Sequence, residues 1–465
     1  MLTEANLKKY SDGRDIMHTI GNFVFDSSRL IIYKSDIDKE TVDIINATFP
    51  NDPDYNSVLS GLTKFNPDEM QMDKIAINDI GICLTYNCNL RCTYCGYSST
   101  EQDKNNLQLD DVEIFIKDII KKRTIKKLLT KKNEPLIINF TGGGEPTYEW
   151  DLLKNTVVFV KRQCADNNIP LYLKMTTNGM LSNEQIEFIS ENFNELMISY
   201  DGLSEIQNSN RICPSAKDTS STVEHTIREF TNRGVPLIIR STIWQKDYPK
   251  MREMYSHVFS LVPEDSKVTW SIYPTLFEGR AIGHMKKQED ITYKNFLFYY
   301  LNLIEYIISE KGEEYIKKID VPLINNDISG LFCGAYRLNS PWLLPDKSIV
   351  TCIESKEDKV FIGRINDGQL EYYQKYSDNF LKVTQQKYSE CRSCIAYRFC
   401  RGGCPVWHLR ENDEGMEPLE CYLQREYWEY ILEAVLAGKY SFGWGLEKID
   451  LPNIKEQEIF KLVKR

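Results

Sequence analysis

Three cysteines, Cys88, Cys92 and Cys95, crowd one short stretch of the chain, with three residues separating the first two and two residues the last two. Thiolates at this spacing can take three corners of an iron–sulfur cube and leave the fourth iron without a protein ligand, open to a cofactor or substrate. A zinc loop is the competing reading, although zinc sites favour cysteine pairs with a fourth ligand nearby. Further along, Cys391, Cys394, Cys400, Cys404 and Cys421 follow a loose pair, Cys333 and Cys352. This order is also that of metal ligation, with a zinc ribbon as its alternative. Of the 13 cysteines, Cys83, Cys164 and Cys213 stand apart, and spare thiols of this kind are ordinarily inert core residues.

The rest of the chain sets the context for this chemistry. No apolar run reaches bilayer-spanning length, and the N-terminus, MLTEANLKKYSDGRD, lacks the basic-then-apolar order of a signal peptide. The expectation is a cytoplasmic protein with no membrane partner, where abundant cysteine signals metal or cluster ligation rather than disulfides. Apolar residues at 42% and charged residues at 27% are ordinary for a globular chain, and 465 residues suggest two or three domains. A net charge of -10 argues against a nucleic-acid partner.

From about Lys74 the pattern alternates between β-rich runs and amphipathic helices, as in parallel strands joined by helical crossovers. Strands are predicted at 75–84, 136–140, 171–177, 195–200, 236–242 and 267–274, and a long helix at 293–311. Six units are two short of a closed eight-fold barrel, so the predicted fold is α/β, an open (β/α)6 TIM-like partial barrel with its chemistry at the C-terminal strand ends. The motifs fall there. The cysteine triplet follows strand one, Gly142-Gly143-Gly144-Glu145-Pro146 strand two, Thr177-Asn178-Gly179 strand three, and Asp201-Gly202 strand four.

Ahead of the barrel, 22–26 and 29–35 read as a hairpin across Ser27-Ser28, followed by helical patterns at 39–48 and 55–65, which predicts a small separate α+β domain. Beyond about Pro322 the periodicity weakens where the later cysteines gather, as in a small metal-stapled domain. The expected division is 1–73, 74–320 and 321–465, the last ending in a helix. Lys121, Lys122, Arg123, Lys126, Lys127, Lys131 and Lys132 form a basic run read as a solvated helix end, with capture of an acidic peptide as the alternative.

The stretch CNLRCTYC, with Tyr94 before the last cysteine, resembles the defining motif of the radical S-adenosylmethionine (SAM) superfamily. The resemblance implies a [4Fe-4S] cluster whose open iron chelates the amino and carboxylate groups of S-adenosylmethionine, and whose electron releases a 5′-deoxyadenosyl radical that removes an unactivated hydrogen. Gly143, Gly144 and Glu145 then resemble the element that engages the methionine amino group, and Thr177 and Asn178 look like ribose contacts. Ser199 and Arg211 fall where a hydroxyl and a guanidinium could bind the methionine carboxylate. SYDGLSEIQNSNR resembles the corresponding stretch of peptide-modifying members.

The C-terminal cysteines closely resemble a SPASM domain, which implies two auxiliary [4Fe-4S] clusters and three in all. Carried over by position, Cys391, Cys394, Cys400 and Cys421 hold the outer cluster, and Cys333, Cys352 and Cys404 the inner one. One departure is Lys347, where a glycine is expected five residues before Cys352. Relatives with a fully ligated inner cluster have an extra cysteine, and Gly334 to Thr351 contains none. An open iron there could take a substrate thiolate.

These features imply a SPASM-type oxidoreductase that matures a ribosomally made precursor peptide. It would abstract a hydrogen and form an intramolecular thioether to cysteine, with electrons from a donor such as flavodoxin or ferredoxin. The N-terminal pattern resembles domains that hold a leader peptide as an added strand. The alternatives are carbon–carbon crosslinking and anaerobic formylglycine formation on a sulfatase. Asp201 is the candidate base.

Overall fold

The computed structural model describes residues 17–20, 23–26, 30–34, 40–41, 43–44, 77–100, 105, 107–131, 133–276, 278–284, 290–321, 340–354, 360–373, 394–400, 403–404, 419–449 and 458–464. Six parallel strands lie side by side in chain order. They are β1 (Asp79–Ile82), β2 (Leu136–Phe140), β3 (Leu171–Thr177), β4 (Glu195–Ser199), β5 (Leu237–Ile243) and β6 (Val268–Pro274). Each is followed by a helix: α1 (Leu109–Thr130), α2 (Trp150–Asp166), α3 (Asn183–Asn192), α4 (Ser220–Asn232), α5 (Met251–Ser260) and α6 (Asp290–Glu310). This is the expected partial barrel, with strand boundaries close to those read from the sequence.

The alternation in β5 shows how the layers form. Leu237, Ile239, Ser241 and Ile243 are buried, while Ile238, Arg240 and Thr242 are half-buried on the opposite face. The first set packs under the helices and the second lines the barrel lumen, because successive strand side chains point to opposite faces. Local signals set the helix ends. The Ser182 hydroxyl and Gln185 side chain cap α3 reciprocally, and α1 ends on Lys131 in the left-handed region, φ 58°.

Beyond α6 the sheet gains a short seventh parallel strand, Ile319–Asp320, beside β6. At the other edge Trp342–Leu343 pairs parallel with β1, and an antiparallel meander of Ser348–Val350, Phe361–Asn366 and Gln369–Tyr372 continues outward. The C-terminal part of the chain thus caps the open edge of the barrel. Lys347 keeps a left-handed turn at φ 69° where glycine was expected, and its ammonium binds Asp111 Oδ1 at 2.9 Å. That ion pair secures a conformation that costs a side chain steric energy.

The N-terminal hairpin does not stand alone. Met17–Ile20, Phe23–Asp26 and Ile31–Lys34 join the C-terminal strands Ile459–Lys464 and Trp444–Lys448 in one five-stranded antiparallel sheet. Local patterning cannot encode a pairing between the two ends of a chain. Residues 40–41 and 43–44 are helical, as expected within 39–48, whereas the helix expected at 55–65 lies outside the described residues. The basic run is largely structural: buried Arg123 bonds Asn78 Oδ1 and Glu134 O, and Lys122 pairs with Asp118 at 2.8 Å over the Tyr372 ring.

The meander docks through one close approach. A Cβ on Gly81 of β1 would stand 1.8 Å from the Trp342 ring, so only glycine lets the indole lie on the strand. Gly81→Val is expected to lower stability by about 1–3 kcal/mol through overpacking, read as a lower urea midpoint. An unchanged midpoint would contradict this packing.

Candidate active site

The cysteine loop is held by backbone pairing. Cys88 N donates to Thr100 O at 2.8 Å, and Arg91–Cys92 forms a two-stranded antiparallel ladder with Arg211–Ile212, placing Cys92 opposite Arg211. Thr93 N adds a bond to Asn210 O at 2.9 Å. All three thiols are half-buried and close enough for the Cys92 and Cys95 charges to raise the Cys88 pKa. Burial first, then the charge of Glu145, pushes the Cys88 thiol up to about 12, and burial takes Cys92 to about 11. Thiols that resist ionisation this strongly become stable thiolates when a cationic centre supplies the missing charge. The Leu90 amide and Asn178 Nδ2 approach Cys88 Sγ at 3.4 and 3.8 Å, as donors around a cluster sulfur do. No three His, Cys, Asp or Glu side chains among the described residues converge on a single metal ion. A cube needs its thiolates at separate corners, so this donor set fits an iron–sulfur cluster.

Glu145 joins the next two motifs. Its Oε1 accepts from Thr147 Oγ1 at 2.9 Å and Thr177 Oγ1 at 2.8 Å, and its Oε2 accepts from Asn178 N at 2.7 Å. Asn178 in turn donates to Asn89 Oδ1 at 2.6 Å, back in the cysteine loop. Burial pushes the Glu145 carboxyl upward against these donors. Glycine is required alongside it. A Cβ on Gly144 would lie 1.9 Å from Asn87 O, and Gly143 has φ 67°. Cys88, Glu145, Thr177 and Asn178, from three strand ends, are therefore one cluster.

Asp201, the candidate base, is already committed. Fully buried, it binds Arg211 through Nη2 at 3.0 Å and Nε at 3.1 Å, accepts the Tyr94 hydroxyl, and accepts Thr242 N at 3.3 Å. A carboxylate so engaged positions Arg211 and Tyr94. Arg211 also lies 5.4 Å over the Tyr94 ring, and it is the first charge that lowers the Cys92 pKa.

The sequence reading missed a polar row inside the lumen. Ser199 of β4, Arg240 of β5, Ser271 of β6 and Asp320 of the seventh strand are aligned in register. Burial raises the Asp320 pKa, partly opposed by Arg240, and Ser271 Oγ donates to Asp320 Oδ2 at 3.5 Å. Knowing that a strand follows α6 is the signal that would have found it. Lower down, Lys174 and Glu195 pair at 2.8 Å beside Asp79.

The segment after β6 closes over the cysteine loop. Arg280 donates to Cys92 O at 3.1 Å and to Ser99 O, its amide bonds Cys95 O at 3.0 Å, and a Cβ on Gly279 would meet Cys95 O at 2.2 Å. Trp244 Nε1 donates to Thr93 Oγ1 at 3.2 Å. Cys352 approaches this same region. Tyr97 OH donates to Ile353 O at 2.9 Å, beside Cys352, and a Cβ on Gly142 would overlap Ile353. Cys352, Cys394, Cys404 and Cys421 are half-buried and Cys400 is buried, whereas Cys333 and Cys391 lie outside the described residues. Of the spare thiols, Cys83 Sγ lies 3.1 Å from Gly142 O, Cys213 Sγ contacts Ser215 Oγ at 3.2 Å, and Cys164 is buried in α2.

Residues 82–256 match the family described as the radical SAM superfamily. This segment takes in the cysteine loop and most of the barrel strands that surround it. The chain is 25% identical over 369 residues to a cysteine-type anaerobic sulfatase-maturating enzyme of Clostridium perfringens, a match spanning 74% of this chain and 93% of the relative. Its fold is similar to that of anSMEcpe with bound AdoMet, with a TM-score of 0.58, 22% identity, and coverage of 77% of this chain and 98% of that one. It is also similar to Streptococcus suis SuiB bound to precursor peptide SuiA, with a TM-score of 0.50, 15% identity, and coverage of 86% and 95%. No described helix is long and apolar enough to cross a membrane.

The lumen charges have a pH signature. Burial raises Asp79 from 3.8 to about 6, with Lys174 opposing. A carboxyl raised on folding contributes stability that is fully present below pH 3.8 and is lost as pH rises through about 6. Asp79→Asn is expected to stabilise the protein at pH 8 relative to its effect at pH 4 by about 1–2 kcal/mol, with Lys174 opposing the burial of the carboxyl. Denaturant titration at the two pH values checks this, and equal effects at both would contradict it.

Proposed function

We propose that the protein is a radical SAM peptide maturase that joins a cysteine sulfur to a carbon of the same ribosomally made precursor. The observation that carries the radical chemistry is the convergence of Cys88, Glu145, Thr177 and Asn178 at the mouth of a polar lumen. Cys88, Cys92 and Cys95 would hold the [4Fe-4S] cluster, which when bound supplies the electron that splits S-adenosylmethionine for hydrogen abstraction. Glu145 Oε2, which accepts the Asn178 amide, keeps a lone pair for the methionine ammonium. Thr177 and Asn178 would border the ribose, and Ser199, with the edge of Arg211 that Asp201 leaves open, would meet the carboxylate. Tyr94, locked on Asp201, holds Arg211 in place.

Thioether formation replaces a C–H and an S–H by a C–S bond. One hydrogen atom leaves on 5′-deoxyadenosine, one proton goes to a base, and one electron leaves the peptide. Asp320 is the lumen carboxylate assigned to take the proton, since burial raises its pKa above the usual carboxylate value. The electron would leave toward two auxiliary clusters, the inner held by Cys333, Cys352 and Cys404 and the outer by Cys391, Cys394, Cys400 and Cys421. The contact of Ile353 with Gly142 and Tyr97 supports a short path from the radical site, and an exchangeable donor such as flavodoxin or ferredoxin would complete the circuit. The sheet built from both chain ends supports precursor binding, because its edge strands, Met17–Ile20 and Trp444–Lys448, could each accept an added strand.

A second reading is formylglycine formation, favoured by the match to a sulfatase-maturating relative. The products separate the two. Anaerobically reconstituted enzyme, given S-adenosylmethionine, a reductant and a cysteine-containing precursor with its leader, is expected to yield peptide two hydrogens lighter whose thiol no longer alkylates. A hydrazine-reactive aldehyde in tandem mass spectra would replace the thioether reading with the second.

A further inference from the structure

Several arginines of the barrel are committed to protein partners, and Arg240 is an exception. Arg211 is held by Asp201, Arg123 by Asn78 and Glu134, and Arg280 by the carbonyls of Cys92 and Ser99. Arg240, half-buried in the middle of β5, makes no hydrogen bond to oxygen and no ion pair among the described residues. Its guanidinium lies 4.7 Å over the Tyr273 ring, with Nη1 4.0 Å from Met197 Sδ. Its charge reaches Asp320, one strand beyond Ser271 in the same row, but the two stand beyond ion-pairing distance.

A guanidinium held on an aromatic ring and a thioether presents its planar fork of donors to an incoming anion. The arginines bearing on Cys92 are Arg211 and Arg280, so the cluster end of the site has its own cations. Arg240 faces the lumen, beside the carboxylate placed to receive the substrate's proton. Resting on the peptide-maturase reading, we propose that Arg240 is a specificity residue that binds the carboxylate of an Asp or Glu side chain near the modified residue. The Tyr273 ring fixes the plane of the fork, Ser199 and Ser271 flank it in register, and the incoming carboxylate completes the charge balance of the row. This site selects acidic peptides although the chain itself carries net negative charge, because selection is local to the lumen.

The test is a display selection of random peptides around a fixed cysteine, run on anaerobically reconstituted full-length enzyme with S-adenosylmethionine and no reductant. Wild type is expected to enrich Asp or Glu at one position by about tenfold or more, the worth of one charge-assisted pair. Arg240→Met should lose that enrichment while calorimetric affinity for S-adenosylmethionine stays within about twofold, and Arg240→Glu should enrich Lys or Arg at the same position. The conservative Arg240→Lys should retain part of the acidic preference. Undiminished acidic enrichment in Arg240→Met would overturn the assignment. So would a loss of S-adenosylmethionine affinity in that variant without a change in peptide preference, which would give the guanidinium to the methionine carboxylate instead. Enrichment of no peptide by wild-type enzyme that still cleaves S-adenosylmethionine under reduction would instead sink the peptide reading beneath it.

Discussion

The buried ion pair between Asp201 and Arg211 is the constraint on which the site depends. Arg211 lies opposite Cys92 in the small ladder, so the pair ties the cysteine loop to the end of β4, while the Tyr94 hydroxyl ties it again from within the loop. Removing one partner of such a pair leaves an uncompensated buried charge, at a cost of about 3–5 kcal/mol. Here that cost would fall on the position of Cys92.

Around that anchor, the parallel sheet brings distant segments to one end of the barrel. Glu145 and Asn178 link β2, β3 and the cysteine loop by direct hydrogen bonds, and Arg280 closes the loop from the far side of β6. The lumen below is charged rather than apolar, with Lys174, Glu195, Arg240 and Asp320 facing inward. A closed eight-strand barrel fills its interior with packed side chains. An open one with a charged interior has room for a cofactor and a peptide. The C-terminal meander then sets Cys352 beside the Gly142 turn, so the segment expected to carry electrons touches the segment expected to bind S-adenosylmethionine.

Much of this was legible in the sequence. Strand positions followed from β-rich runs, and β2 and β3 fall where the pattern placed them, because a buried parallel strand needs a compact apolar run and little else. The cysteine loop, Glu145 and Thr177-Asn178 were legible because their chemistry is concentrated in short motifs. What escaped depends on contacts between distant residues. The pairing of Ile31–Lys34 with Ile459–Lys464 has no local signature. Asp201 looked like a free carboxylate because nothing in its neighbourhood reveals that Arg211, Tyr94 and Thr242 all reach it. Arg240 and Asp320 sit in no motif, since their meaning comes from the cross-strand register. Lys347 broke the expected glycine yet keeps the turn, with Asp111 as a partner 236 residues away.

The most direct measurement is electron paramagnetic resonance of the anaerobically reconstituted, dithionite-reduced protein, with and without S-adenosylmethionine, compared between wild type and the Cys92→Ala variant. Wild type should show a reduced [4Fe-4S] signal that shifts when S-adenosylmethionine is added, and 5′-deoxyadenosine should accumulate. The variant should lose the shifting component and the cleavage together while keeping any auxiliary signal. A signal indifferent to S-adenosylmethionine in wild type, or cleavage that survives Cys92→Ala, would contradict the assignment of Cys88, Cys92 and Cys95 as the radical-generating centre.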